Sequence, residues 1–193
     1  MSTRIDWSEG TWTTPPAAVA ERGGALVVTA LEGSDAWRRT AYGFIHDTEH
    51  ALLAPLAVGE AMEVVFDADF TAQFDQAGLF VRVDDERWMK AGVENADGVL
   101  GVGAVVTDIM SDWSVGAVPE WAGRRLRVRV SRGADALTVR AGVDGESLRL
   151  VRVAPFAGGA TAQAGPMVCA PTRAGLEVVF TEWLRTDADA SLH

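Results

Sequence analysis

Residues 76–95 read QAGLFVRVDDERWMKAGVEN. In the first half Ala77, Leu79 and Val81 alternate with Gln76, Gly78, Phe80 and Arg82; in the second Met89, Ala91 and Val93 alternate with Trp88, Lys90, Gly92 and Glu94. A period of two marks a β-strand with one apolar face. Val83 to Arg87, carrying Asp84, Asp85 and Glu86, then reads as the loop of a hairpin. Residues opposite one another in an antiparallel pair share a face, so matching apolar to apolar sets Val81 against Met89, Leu79 against Ala91 and Ala77 against Val93. A slip of one would press Lys90 and Glu94 into the apolar face, where an unpaired charge is costly.

That register fixes the other face: Gln76 beside Glu94, Gly78 beside Gly92, Phe80 beside Lys90 and Arg82 beside Trp88. Two facing glycines weaken a strand, so something is expected to approach the backbone there. A ligand is one candidate, another loop or side chain packing there the other. Lys90 is the one lysine of the chain, which makes its place on this face notable.

The same alternation recurs outward from this hairpin. Leu126, Val128 and Val130 alternate with Arg125, Arg127 and Arg129; Leu137, Val139, Ala141 and Val143 follow, and Asp144-Gly145 is the turn that returns Leu148 to Val153. Leu26/Val28, Val64/Phe66/Ala68/Phe70 and Leu176/Val178/Phe180 read as further strands. The expected architecture is all-β, with two antiparallel sheets packed face to face. At 193 residues the chain suits a single domain, taken as 1–185, with an acidic tail at 186–193 expected to fray.

Composition narrows the partners. A hydrophobic content of 48% supplies a core, and a net charge of −10 argues against nucleic acid. The N-terminus lacks the apolar segment of a secretory signal and no apolar run could span a bilayer, so no membrane partner and a cytoplasmic location are expected. The single cysteine, Cys169, sits among apolar neighbours and reads as a buried, inert thiol. No cofactor is implied, since neither a phosphate loop nor a dinucleotide fingerprint is present.

The remaining constellations have competing readings. Glu94 with an aspartate, Asp69 or its neighbour Asp67, is the candidate acid/base pair of a glycosidase, but Glu94 could equally pair with Lys90. Trp88 and Trp113, with Trp37 and Tyr42, could stack on sugar rings, while Trp7, Trp12, Trp121 and Trp183 are assigned to structure. His46-Asp47-Thr48-Glu49-His50 invites a metal, yet its surroundings look extended and no metal is expected; His50 reads as lining the rim of the cleft or as satisfying a loop carbonyl. Asp84-Asp85-Glu86 reads as a solvated turn, and the arginine stripe as a face balanced by carboxylates.

Four ordered segments, Trp37 to Phe44, Phe74 to Arg82, Trp88 to Glu94 and Ser111 to Ser114, resemble the motifs of the DUF1349 family, also called the regulation of enolase protein 1 family. The resemblance runs from about Trp7 to about Trp183. It implies a concanavalin A-like jelly-roll sandwich, a fold shared with lectins and glucanases, and by analogy sugar binding. The chain departs from the glucanase pattern in having no strand on which two glutamates flank an aspartate. The expected function is therefore non-enzymatic binding of a carbohydrate or carbohydrate-like small molecule in the concave cleft. Gln76, Arg82, Lys90, Glu94, Asp112 and His50 would supply polar contacts, Trp88, Trp113 and Tyr42 the stacking surfaces, and Gly78 and Gly92 the floor. The alternatives are a regulator that binds a metabolic enzyme, and a weak glycoside hydrolase using Glu94 and an aspartate.

Overall fold

The computed structural model describes residues 2–156 and 159–192. Two antiparallel sheets lie face to face as a concanavalin A-like jelly roll. The back sheet runs β15 (Arg149–Pro155), β14 (Ala136–Val143), β13 (Leu126–Arg132), β8 (Glu60–Ala68), β17 (Glu177–Asp187), β4 (Ala25–Thr29) and β3 (Ala18–Arg22), with β1 (Thr3–Arg4) also paired to β17. The front sheet runs β12 (Met110–Ala117), β11 (Val99–Asp108), β10 (Arg87–Ala96), β9 (Gln76–Arg82), β16 (Ala162–Cys169), β7 (His50–Leu56) and β2 (Thr11–Trp12). A separate two-stranded ribbon joins β5 (Ala36–Arg38) to β6 (Ile45–Asp47). Among the described residues the helical pieces are two short turns, at Trp7–Glu9 and Pro119–Trp121, and no helix is long and apolar enough to cross a membrane.

The β9–β10 register is the one the alternation demands: Val81 faces Met89, Leu79 faces Ala91, Ala77 faces Val93, and Gly78 faces Gly92. Their inner faces meet Val64, Phe66, Val128, Val139 and Val178 of the back sheet in one apolar core. Burying each aliphatic or aromatic side chain of this kind contributes about 1.5–3 kcal/mol, so a one-residue slip of any central strand is prohibitive. Strand β17 changes phase at a bulge between Phe180 and Glu182. The bulge keeps both Phe180 and Trp183 inward, and Trp183 stacks on Trp7 with ring centroids 6.0 Å apart. Trp121 is buried in the same core and Trp12 packs against it.

The arginine stripe on the outside of the back sheet is balanced, as the overall acidity of the chain suggests. Glu63 bridges Arg127 and Arg129 at 2.6 Å each, and Asp189 joins Arg129 at 2.8 Å to Arg140 at 2.9 Å. These pairs also bear on the tail. Thr186 and Asp187 complete β17, the Asp189 amide donates to Ser131 Oγ at 2.7 Å, and Arg140 Nη2 donates to the Leu192 carbonyl at 2.8 Å.

The outer face of the front sheet differs from expectation. Instead of an open polar surface it carries a second apolar cluster, with Phe80, Trp88, Val105, Met167, Ala51, Leu53 and Cys169 roofed by Ala36 and Trp37 of the ribbon. The ribbon is pinned by Arg38, whose amide donates to Ser111 Oγ at 2.9 Å and whose guanidinium pairs with Glu86 at 2.9 Å. Strand β9 is thus buried on both faces, a property its alternation conceals because Phe80 and Gly78 share the outer positions with the polar Gln76 and Arg82.

Candidate functional site

Beside this roofed cluster the front sheet opens into a pocket of ≈ 340 Å³, within the range of about 300–1,000 Å³ usual for small-molecule sites. Lys90 and Glu94 rise from β10 and Val105 from β11, all on the outer face, because residues two and four apart on a strand point the same way. Trp37, Tyr42, Phe44 and His46 descend from the ribbon and its loop, Trp113 stands on β12, and Phe74, Asp35 and Pro171 close the remaining sides. A shallower hollow continues along the sheet past Gln76, Gly92 and Gly103 and shares Lys90, Glu94 and Trp113 with the main pocket.

Polar groups meet at the floor in an uneven way. Lys90 donates to Asp35 Oδ1 at 2.6 Å. The same oxygen also accepts from the Ala36 amide at 2.8 Å and lies 3.4 Å from Gln76 Nε2. Burial pulls the Lys90 ammonium down, but Asp35 and other nearby anionic groups more than offset this and its pKa is raised. Glu94 has no such partner: its Oε1 is buried without a hydrogen bond, although Glu94 stands across from Gln76 in the sheet. Burial pushes its carboxyl from 4.5 up to about 7, with Lys90 opposing the rise and Asp35 adding to it. A buried carboxyl left unpaired at a pocket is the kind of group a ligand commonly completes.

The walls are aromatic. Tyr42 and Phe44 stack at 5.3 Å, Trp37 meets Tyr42 edge-on at 5.8 Å, and Phe74 meets Trp113 edge-on at 6.5 Å. Tyr42 and Trp113 remain 60% and 40% exposed, so their faces are available. Arg39, Ala41 and Phe74 all take positive φ, at 65°, 62° and 63°. Side chains avoid this left-handed region, and its use on both walls is a local cost borne where the rings are positioned.

Residues 12–188 match the family model described as a protein of unknown function, DUF1349. The chain belongs to this family. Its curated relative, Regulation of enolase protein 1 of Saccharomyces cerevisiae, is 36% identical over 185 residues, which is 96% of this chain and 93% of the relative. A crystal structure of a functionally unknown protein from Saccharomyces cerevisiae superposes with a TM-score of 0.90 at 34% identity, covering 96% of this chain and 100% of that one. The Bacteroides ovatus xyloglucan PUL GH43B protein matches with a TM-score of 0.71 at 14% identity over 95% of this chain and 39% of its own length, a likeness of fold.

Of the residues singled out in this DUF1349 sequence, the structure brings Lys90, Glu94, Trp113 and Tyr42 to the main pocket, and Gln76 and Gly92 to the adjoining hollow. The others go elsewhere. Trp88 is 6% exposed and stacks on Phe80 at 5.3 Å beneath the ribbon. Arg82, at the far end of the hairpin, pairs with Asp85. Asp112 faces the opposite way from Trp113 along β12 and meets Arg152 of the back sheet at 3.2 Å. His50 is buried, accepting from the Leu31 amide at Nε2 (3.1 Å) and lying 3.0 Å from the Thr14 carbonyl at Nδ1, and burial lowers its pKa. Of its two readings the structure has the loop-carbonyl one and not the rim, and among the described residues His50 joins no metal-binding group with His46. Gly78 is approached by the neighbouring strand: a methyl there would sit 2.1 Å from the Ala91 carbonyl oxygen and 2.7 Å from Gly92 Cα. Asp67 lies on β8 of the back sheet and pairs with Arg125 at 2.7 Å, and Asp69 follows the end of that strand; neither is among the residues lining the pocket that holds Glu94.

Asp35 is the residue that sequence reasoning missed. Gly33-Ser34-Asp35 reads only as a turn, and its partner Lys90 lies 55 residues away. Cys169 is buried, with burial and then Asp35 holding its thiol well above the ordinary value.

Proposed function

We propose that this chain binds a carbohydrate or carbohydrate-like small molecule in the ribbon-walled pocket, without turning it over, and that in the cytoplasm it serves as a regulator of a metabolic enzyme. The observation that carries the binding reading is the row Asp35–Lys90–Glu94 lying beneath exposed Trp113 and Tyr42. Sugar rings offer apolar C–H faces to aromatic surfaces and hydroxyls to polar groups, and this pocket has both in one place. A glycosidase needs a second free carboxylate across the scissile bond. Asp69 follows the end of β8 and does not line the pocket, and Asp35 is occupied by Lys90, which favours binding over hydrolysis. The regulatory half rests on the name of the yeast relative.

Titration calorimetry with a panel of neutral and amino monosaccharides tests the binding. Wild type should give heat at millimolar concentration or below; Trp113→Ala should weaken it by about 1–3 kcal/mol, while Arg82→Ala, outside the pocket, leaves it unchanged. No heat from any sugar, or identical binding by Trp113→Ala, sinks the proposal. An enolase assay with the chain and the bound sugar added tests the regulatory half, which fails if the rate is the same with and without them.

A further inference from the structure

The unmatched group in the pocket is an acid, not a base. Lys90 is already held by Asp35 at 2.6 Å, and Gln76 turns its amide towards Asp35 and the Phe74 carbonyl, leaving Glu94 Oε1 buried without a donor. Among the described residues no arginine lines the pocket, so none of them is placed to clamp a phosphate or carboxylate in the bidentate manner such groups favour.

The walls point to the same ligand charge. The faces of Tyr42 and Trp113 carry the negative side of the ring quadrupole, which attracts cations, and a carboxylate does likewise. Lys90 repels a cation less than its formal charge implies, because Asp35 compensates it. Of the three donors of its ammonium group, one goes to Asp35, and the remainder suit hydroxyl oxygens.

We infer that the pocket selects a sugar bearing a protonated amine, the ammonium donating to Glu94 and the hydroxyls accepting from Lys90 while the ring lies on Trp113. This rests on the carbohydrate reading above and names its ligand class. A simple alkylammonium would use the rings and Glu94 but leave the Lys90 donors idle, whereas a sugar phosphate would bring a second anion to Glu94.

The test is titration calorimetry at pH 8, where Glu94 is largely ionised, with D-glucosamine, D-glucose, D-glucose 6-phosphate and choline as probes. At this pH a substantial part of the glucosamine still carries its proton. The expected result is D-glucosamine bound about tenfold or more tightly than D-glucose by wild type, a charge-assisted hydrogen bond against a neutral one, with the preference lost in Glu94→Gln. Equal binding of D-glucosamine and D-glucose overturns the amine selection and leaves sugar binding standing. D-glucose 6-phosphate as the tightest probe overturns it in the same way. Choline binding without either monosaccharide, or no heat from any probe, overturns the inference together with the carbohydrate reading on which it rests.

Discussion

The two outer faces of the sandwich handle charge in opposite ways. On the back sheet, Arg127 meets Glu63, Asp144 and Glu182, Arg129 and Arg140 share Asp189, and Arg125 meets Asp67, so every member of the stripe is answered. On the front sheet one lysine faces two carboxyl groups, takes one, and leaves the other buried and unpaired. The first face is half open to water, which would have tolerated a mismatch at little cost; the second is largely closed, and there a mismatch is expensive. A closed site that retains an unmatched group is organised for something besides stability.

The contrast is broken most severely at Lys90. Its side chain is 6% exposed, and replacing it with methionine leaves the partly buried Asp35 and Glu94 as neighbouring carboxyls without a cation. Lys90→Met should lower stability by about 3–5 kcal/mol in urea unfolding at pH 7, and adding Asp35→Asn should restore much of the loss. A loss below about 1 kcal/mol would place Lys90–Asp35 in the class of surface pairs and erase the difference between the faces.

Glu94 sharpens the comparison through pH. Its carboxyl titrates at about 7 in the folded chain, against an ordinary 4.5, because burial disfavours the charge, Lys90 only partly opposes this, and Asp35 reinforces it. The folded state therefore holds a proton the unfolded chain releases. The resulting stability is complete below pH 4.5, falls through the window up to about pH 7, and is gone above it. Two and a half pH units correspond to about 3 kcal/mol. Glu94→Gln, which resembles the protonated acid, should match wild type at pH 4 and exceed it by about 3 kcal/mol at pH 8. Parallel stability curves for the two proteins across this range would show that Glu94 is not held in a dry, unpaired setting.

Much of the fold was legible because its determinants are local and periodic. The alternation of Ala77, Leu79 and Val81 against Met89, Ala91 and Val93 admits one register that hides both rows, and β9 and β10 adopt it. Lys90 and Glu94 on the outer face follow from the same parity. Trp113 and Asp112 do not: as strand neighbours they face opposite ways, and which of the two lies outward is set by the β11–β12 register. What could not be read is the third layer. Nothing in the periodicity of Trp37 to Phe44 says that this segment folds back over Trp88 and Phe80, turning a candidate stacking residue into a core residue. Nor does a Gly-Ser-Asp turn announce that its aspartate will satisfy the lysine before Glu94 can. The paired glycines signal close approach for a related reason, and the approaching atoms are those of the adjacent strand.

The smallest effect is expected at the pair Arg125–Asp67 on the back sheet. Its geometry is good, with Arg125 Nε and Nη2 donating to Asp67 Oδ2 at 3.0 and 2.7 Å, yet the side chains are 52% and 41% exposed. Water competes for both ions, and salt screens what remains. A double-mutant cycle with Arg125→Ala and Asp67→Ala should therefore give a coupling of about 0.2–1 kcal/mol, shrinking towards zero in 1 M salt, while the Lys90–Asp35 cycle stays well above it in the same buffer. If Arg125–Asp67 coupled as strongly as Lys90–Asp35 and resisted salt, exposure would not be what separates the two faces. The unpaired state of Glu94 would then lose its standing as a departure from how this protein otherwise settles its charges.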